Sequence, residues 1–103
     1  MQIYFIGIHG EAVGELADLT REQFGITAPS GVLVTEIYRS APAFEAGLRP
    51  GDVILKMNGR DVNHPSEMDF VNWDLFVGDE VVLDALREGR PETIRFQVVE
   101  LDQ

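Results

Sequence analysis

Apolar positions along this chain fall in short runs broken by glycine and polar turns, with no long helical stripe except near the middle. Residues 3–8, Ile3-Tyr4-Phe5-Ile6-Gly7-Ile8, predict a short strand that turns at Gly7. Gly10 and Gly14 loosen the segment that follows. Thr20-Arg21-Glu22-Gln23 has the spacing of a capping box, with Thr20 as the cap and Gln23 reaching back, and Gly25 stands where a helix would stop. Gly31 opens a β-branched run through Tyr38. Strand alternation puts Val32, Val34 and Glu36 on one face and Leu33, Thr35 and Ile37 on the other. Residues 42–46 predict a short helix with Pro42 in its first turn and Gly47 at its end.

Residues 53–57 read as the next strand. Asn58-Gly59 is a tight-turn signal, and Arg60-Asp61-Val62 pairs back. Ser66 is placed to cap a longer helix that runs to about Phe76 and ends near Gly78. Residues 80–87 and 92–101 predict two strands joined through Glu88-Gly89-Arg90-Pro91. Five or six short strands with two principal helices imply an α+β, mainly β architecture. The expected form is a small, partly open β-barrel or sandwich with helical caps.

Composition narrows this picture. A length of 103 residues suits one domain covering 1–103, and 45% hydrophobic content suffices for a core. No apolar run approaches the roughly 20 residues that span a bilayer. The N-terminal residues lack the basic start and long apolar middle of a signal peptide, so no targeting signal is expected in this chain. There is no cysteine, which excludes disulfides and thiolate metal sites. A net charge of −10 disfavours nucleic acid and anionic lipid, and it serves either solubility or a basic partner.

A resemblance sharpens the fold. Gly31-Val32-Leu33-Val34, Ser40-Ala41-Pro42-Ala43, the block Ala46-Gly47-Leu48-Arg49-Pro50-Gly51-Asp52-Val53-Ile54-Leu55 and then Asn58-Gly59 together resemble the signature of PDZ domains in bacterial HtrA/Deg serine proteases. The similarity continues through Gly78-Asp79 and Arg87-Glu88-Gly89. These residues also make physical sense as scaffold. Ala43 and Ala46 let a short helix lie close to the sheet, Pro50-Gly51 is a turn pair, and Asp52 can accept amide hydrogens there. The resemblance implies a PDZ fold of five to six strands with two helices and the circularly permuted strand order of the HtrA type. The C-terminal residues 92–101 would then supply the strand that precedes the binding loop in the animal type.

The same resemblance implies a peptide groove. PDZ domains add an extended peptide as a strand at an exposed sheet edge beside a helix. Phe5-Ile6-Gly7-Ile8 fits the apolar-Gly-apolar loop that captures the terminal carboxylate, where the missing Cβ of Gly7 leaves the backbone amides open. Ile8-His9-Gly10 would be the pairing edge, and His9 points either toward the ligand or to solvent. On the helix, Met68, Val71, Asn72 and Leu75 share one face. Aligned from Gly78, the resemblance implies that Met68, Asn72 and Leu75 are groove positions and that Val71 turns to the core; alternatively the whole Met68 face belongs to the core. Met68 stands where a histidine would select serine or threonine ligands, which implies apolar ones. Phe70 and Trp73 lie on nearly the opposite face. They either fold over a neighbouring loop or form a second interface, for a protease domain or another subunit. His64, before Pro65, reads as a surface residue.

No catalytic pattern is present. Ser30, Ser40 and Ser66 lie outside any nucleophile elbow, and there is no metal-protease or phosphate-loop motif. Glu11, Glu15 and Asp18 read as a solvated face. No enzyme activity, cofactor or metal is expected of the chain. The expected partners are C-terminal or unfolded peptides with an apolar last residue, and an attached protease domain, with no nucleic acid. The implied role is substrate recognition or regulation for a periplasmic HtrA-like serine protease. The alternative is an adaptor domain in another secreted or membrane-associated bacterial protein, of the secretion or site-2 protease kind.

Overall fold

In the computed structural model the described residues are 8–68, 75, 76 and 78–98. They form one antiparallel sheet from β1 (Ile8–Ala12), β2 (Val32–Ile37), β3 (Val53–Met57), β4 (Arg60–Asp61), β5 (Glu80–Arg87) and β6 (Arg90–Gln97). The strand order is β1-β2-β3-β5-β6, with β4 paired to β3. β1 and β6 are the two ends of this order and do not pair with each other, so the sheet is open over the described residues. Helical pieces are few: a 3₁₀ turn at Val13–Glu15, α1 (Asp18–Gln23), α2 (Pro42–Glu45) and α3, which begins with residues 65–68. The mainly β, partly open architecture expected from the sequence is the one observed.

Both sheet faces are covered. The larger cluster holds Val32, Val34, Ile37, Leu48, Ile54, Met57, Leu83 and Ile94 with helix residues Ala43 and Met68. A smaller cluster on the other face joins Leu33 and Val53 to Val13 and Ala28. Successive side chains of β2 therefore bury on opposite sides, as a strand covered on both faces requires.

One alternation expectation fails. Ile37 lies in the larger cluster with Val34, not on the Leu33 face. The cause is a bulge: His9 pairs with Glu36 and Gly10 with Val34, which leaves Thr35 as the extra residue of β2. The Thr35 hydroxyl donates to the His9 carbonyl at 3.1 Å and closes the bulge.

Several boundaries also move. The first described strand is Ile8–Ala12; the strand expected over residues 3–8 lies, apart from Ile8, outside the described residues. Thr20 does not cap α1, because the helix already starts at Asp18 with Ala17 at the N-cap and no side-chain cap. An acidic residue in the first turn supports the early start. Arg21 then ties this segment down, donating to the carbonyls of Val13 and Ala28 at 3.0 and 2.9 Å. Ser66 lies inside α3, and the cap is His64, whose Nδ1 accepts the Ser66 amide at 3.2 Å. Glu67 accepts the Asn63 amide at 3.0 Å, so residues 63–67 form a reciprocal cap with Pro65 at the first helical position. Residues 69–74 of the expected helix lie outside the described residues, and Leu75 and Phe76 are not helical. A turn follows in which Asp79 accepts the Phe76 amide.

The β5–β6 hairpin turns on two residues, Glu88 and Gly89, both at positive φ, with Arg87 opposite Arg90. Pro91 is thus a strand residue, tolerated because β6 is an edge among the described strands. The Asn58-Gly59 turn forms as expected, at φ of 53° and 81°, and β4 stops at Asp61, while Val62 donates to Leu55.

Asp52 organises the turn after α2. It is almost fully buried, at 1% exposure. Its Oδ2 accepts the Arg49 amide at 2.9 Å, and both its oxygens accept from Arg87, at 2.8 Å each. Arg87 also donates to the Gly47 carbonyl at 2.8 Å and meets Glu92 at 3.1 Å. The hydrogen bond to Asp52 raises the Arg87 pKa above the ordinary arginine value, against the opposing effect of burial. A raised base pKa stabilises the fold at every pH below the unfolded value, and that support is lost only above the arginine range.

Candidate functional site

The candidate groove begins with β1, whose outer side has no strand partner among the described residues. Ile8 is half-buried and packs against the larger core cluster. His9 is exposed and stands edge-on to Tyr38, with ring centres 5.9 Å apart and planes at 85°. Gly10 lies in the tightest part of the β1–β2 pairing: a Cβ there would sit 2.6 Å from Val32 Cγ1 and 2.8 Å from the Leu33 carbonyl oxygen. Any larger residue would push β1 off β2 at the bulge.

The other wall is α3. Met68 and Leu75 are buried in the larger cluster, at 6% and 9% exposure, the same cluster that Ile8 touches. The structure thus brings Ile8, Met68 and Leu75 to one apolar cluster below the β1 edge. Phe5, Ile6, Gly7, Val71 and Asn72 lie outside the described residues, as do Phe70 and Trp73. Phe76 is described and is 71% exposed.

Sequence reasoning missed the upstream half of this groove. A depression separates the Gly10–Glu11 part of β1 from the start of α3, lined by Gly10, Glu11, Glu15, Leu16, His64 and Pro65. His64 closes it from the helix side, with Nε2 3.9 Å from the Glu15 carboxylate. The pattern His64-Pro65-Ser66-Glu67 carried the signal for that wall: a polar cap, proline at the first helical position and glutamate at the third.

The chemistry available here is that of binding. Edge amides and carbonyls can pair with an extended chain, and the apolar cluster can receive alternate side chains. Among the described residues, no group of three His, Asp or Glu side chains could hold a metal ion.

Comparison with known proteins agrees with this geometry. The PDZ domain family model matches residues 5–98. The magnetosome formation protease MamE of Paramagnetospirillum magneticum is 36% identical over 80 residues, covering 78% of this chain and 11% of that protein. A probable periplasmic serine endoprotease, DegP-like, from Marinomonas is 28% identical over 85 residues, covering 82% of this chain and 18% of that protein. The chain therefore spans less than a fifth of the length of these relatives. Among solved structures, the HtrA3 PDZ domain bound to a phage-derived ligand, FGRWV, superposes with a TM-score of 0.78 at 21% identity, covering 98% of this chain and 89% of that one. An open sheet edge beside a helix, the Gly31–Gly59 signature and these matches agree: the chain belongs to the PDZ domain family, of the type carried by bacterial HtrA/Deg serine proteases.

Proposed function

We propose that residues 1–103 act as a single, non-catalytic PDZ domain that captures the C-terminus of a polypeptide as an added strand on β1. The outer side of β1, without a strand partner among the described residues and above the Ile8, Met68 and Leu75 cluster, carries this reading. Phe5, Ile6 and Gly7 receive the terminal carboxylate. Ile8, His9 and Gly10 pair with the peptide backbone, while Met68, Val71, Asn72 and Leu75 form the helix-side wall and take an apolar last residue. The phage-derived ligand on the related HtrA3 domain supports a peptide as the occupant.

The domain serves as the substrate-recognition or regulatory part of an HtrA-like serine protease in the periplasm. The relatives named as proteases, one of them periplasmic, support that placement.

The energetics fit a transient binder. Charge-assisted hydrogen bonds to the carboxylate contribute about 1.5–3 kcal/mol each, and one buried apolar side chain adds about 1.5–3 kcal/mol. After the cost of association, a dissociation constant in the micromolar range follows, about −8 kcal/mol.

Fluorescence polarisation with a labelled peptide ending in an apolar residue tests the proposal. The free-carboxylate peptide is expected to bind with micromolar affinity, and its C-terminally amidated form at least about ten-fold more weakly. Gly7→Val is expected to abolish carboxylate binding with the fold intact. Equal binding by that variant overturns the loop assignment, and no binding by either peptide overturns the groove.

A further inference from the structure

We propose that Asn58 is a site of spontaneous chemical modification, guarded by the Val82 amide for as long as the end of β3 stays paired with β5. The chain has three asparagines, and Asn58 alone is followed by glycine. The reaction needs only that pair and water. The Gly59 nitrogen gives its proton to solvent base and bonds to Asn58 Cγ. The Cγ–Nδ2 bond breaks and ammonia leaves, which closes a cyclic imide. Water then opens the imide at one of its carbonyls. One opening gives aspartate. The other gives isoaspartate, in which the main chain runs through Cβ and gains a methylene.

The turn exposes both reactants and restrains one of them. Asn58 and Gly59 are exposed, and a Cβ placed on Gly59 would meet nothing within 4 Å. Glycine leaves its own nitrogen unhindered by a side chain, and among the described residues the Gly59 amide makes no backbone hydrogen bond. Asn58 is held instead. Its amide donates to the Val82 carbonyl at 2.8 Å, and its Oδ1 accepts the Val82 amide at 2.7 Å. The side chain thus takes the place of a backbone carbonyl and carries the β3–β5 ladder one step past the Met57–Leu83 pair. It is drawn toward β5, the side to which its own N–H points, and away from the nitrogen that follows it. Ring closure requires the Val82 bond to open and Cγ to swing toward Gly59. The fold also discriminates between the products. Aspartate keeps the acceptor for Val82 and suits the positive φ of 53° at this turn position. Isoaspartate lengthens a two-residue turn, moves the acceptor off Val82 and pulls on Met57, which is fully buried in the larger cluster.

Mass spectrometry of the whole chain aged in mildly alkaline buffer tests the proposal, read on the tryptic fragment Met57–Arg60, in which Asn58 is the only amide side chain. The urea-unfolded chain and the free peptide Lys56–Asp61 are the references. Both references are expected to convert, and the folded chain at least about ten-fold more slowly, since two hydrogen bonds must open first. A folded chain that converts as fast as the peptide overturns the guarding role of Val82, and no conversion in any of the three overturns the site. The same fragment from an Asn58→Ser chain is expected to keep its mass; a gain there overturns the assignment to Asn58. Isoaspartate chain, separated after ageing in urea and returned to buffer, is expected to melt at least about 4 °C below fresh chain, and the Asn58→Asp variant within about 2 °C of it. Equal melting of the isoaspartate form and fresh chain overturns the discrimination between products.

Discussion

Two corners of this sheet are built on opposite terms. At the turn after α2, Asp52 is buried and satisfied by the Arg49 amide and by Nε and Nη2 of Arg87, whose Nη2 also holds the Gly47 carbonyl. At β1, the strand is short, faces the Thr35 bulge of β2, has no strand partner on its outer side among the described residues, and carries exposed His9 and Glu11. The first corner locks two segments distant in sequence; the second leaves backbone valence open. Strength is concentrated away from the proposed groove, so the edge can exchange partners without loosening the scaffold.

Variants can break or sharpen that contrast. Asp52→Ala strands the Arg87 guanidinium and the Arg49 amide. Arg87 keeps partial access to water, so the expected loss is about 2–3 kcal/mol in urea denaturation, near the lower end for a broken buried pair. Peptide affinity measured well below the unfolding midpoint should be unchanged; an affinity loss equal to that of a groove variant would erase the division between the corners. Gly10→Ala comes next. Its Cβ meets Val32 and the Leu33 carbonyl, and relieving that overlap costs about 1–2 kcal/mol of stability. Here affinity should fall as well, because β1 itself shifts; unaltered binding would place the peptide elsewhere. Lys56→Ala is the control. Lys56 and Asp61 pair at 3.8 Å with both side chains well exposed, so stability should change by less than about 0.5 kcal/mol, and binding not at all.

The same contrast governs what could be read from the chain. The Asn58-Gly59 turn, the proline-led α2 and the strand at residues 53–57 are specified by neighbouring residues, and each forms where expected. The Thr35 bulge is a property of the pairing with His9, 26 positions away, so alternation within β2 alone sent Ile37 to the wrong face. The partner of Asp52 is likewise 35 positions distant. Thr20 and Ser66 were each reasonable caps by residue type. The actual helices begin earlier, at Asp18 and Pro65, where a first-turn acid and a histidine cap intervene. Of the groove, the edge residues Ile8, His9 and Gly10 were legible through the apolar-glycine pattern. Its upstream lining by Glu15 and His64 was not, because only the fold brings the segment after β1 against the helix start.

The open side of β1 carries a second consequence. A strand edge that can accept a peptide can equally template another copy of the same chain, the first step of edge-to-edge aggregation. Among the described residues this edge spans five residues, Ile8–Ala12, which limits the length of any such match. Glu11 lies at its surface, and two copies approaching edge to edge would each present a carboxylate to a molecule already carrying a net charge of −10. Charge at this strand thus acts as a gatekeeper against self-association of the edge.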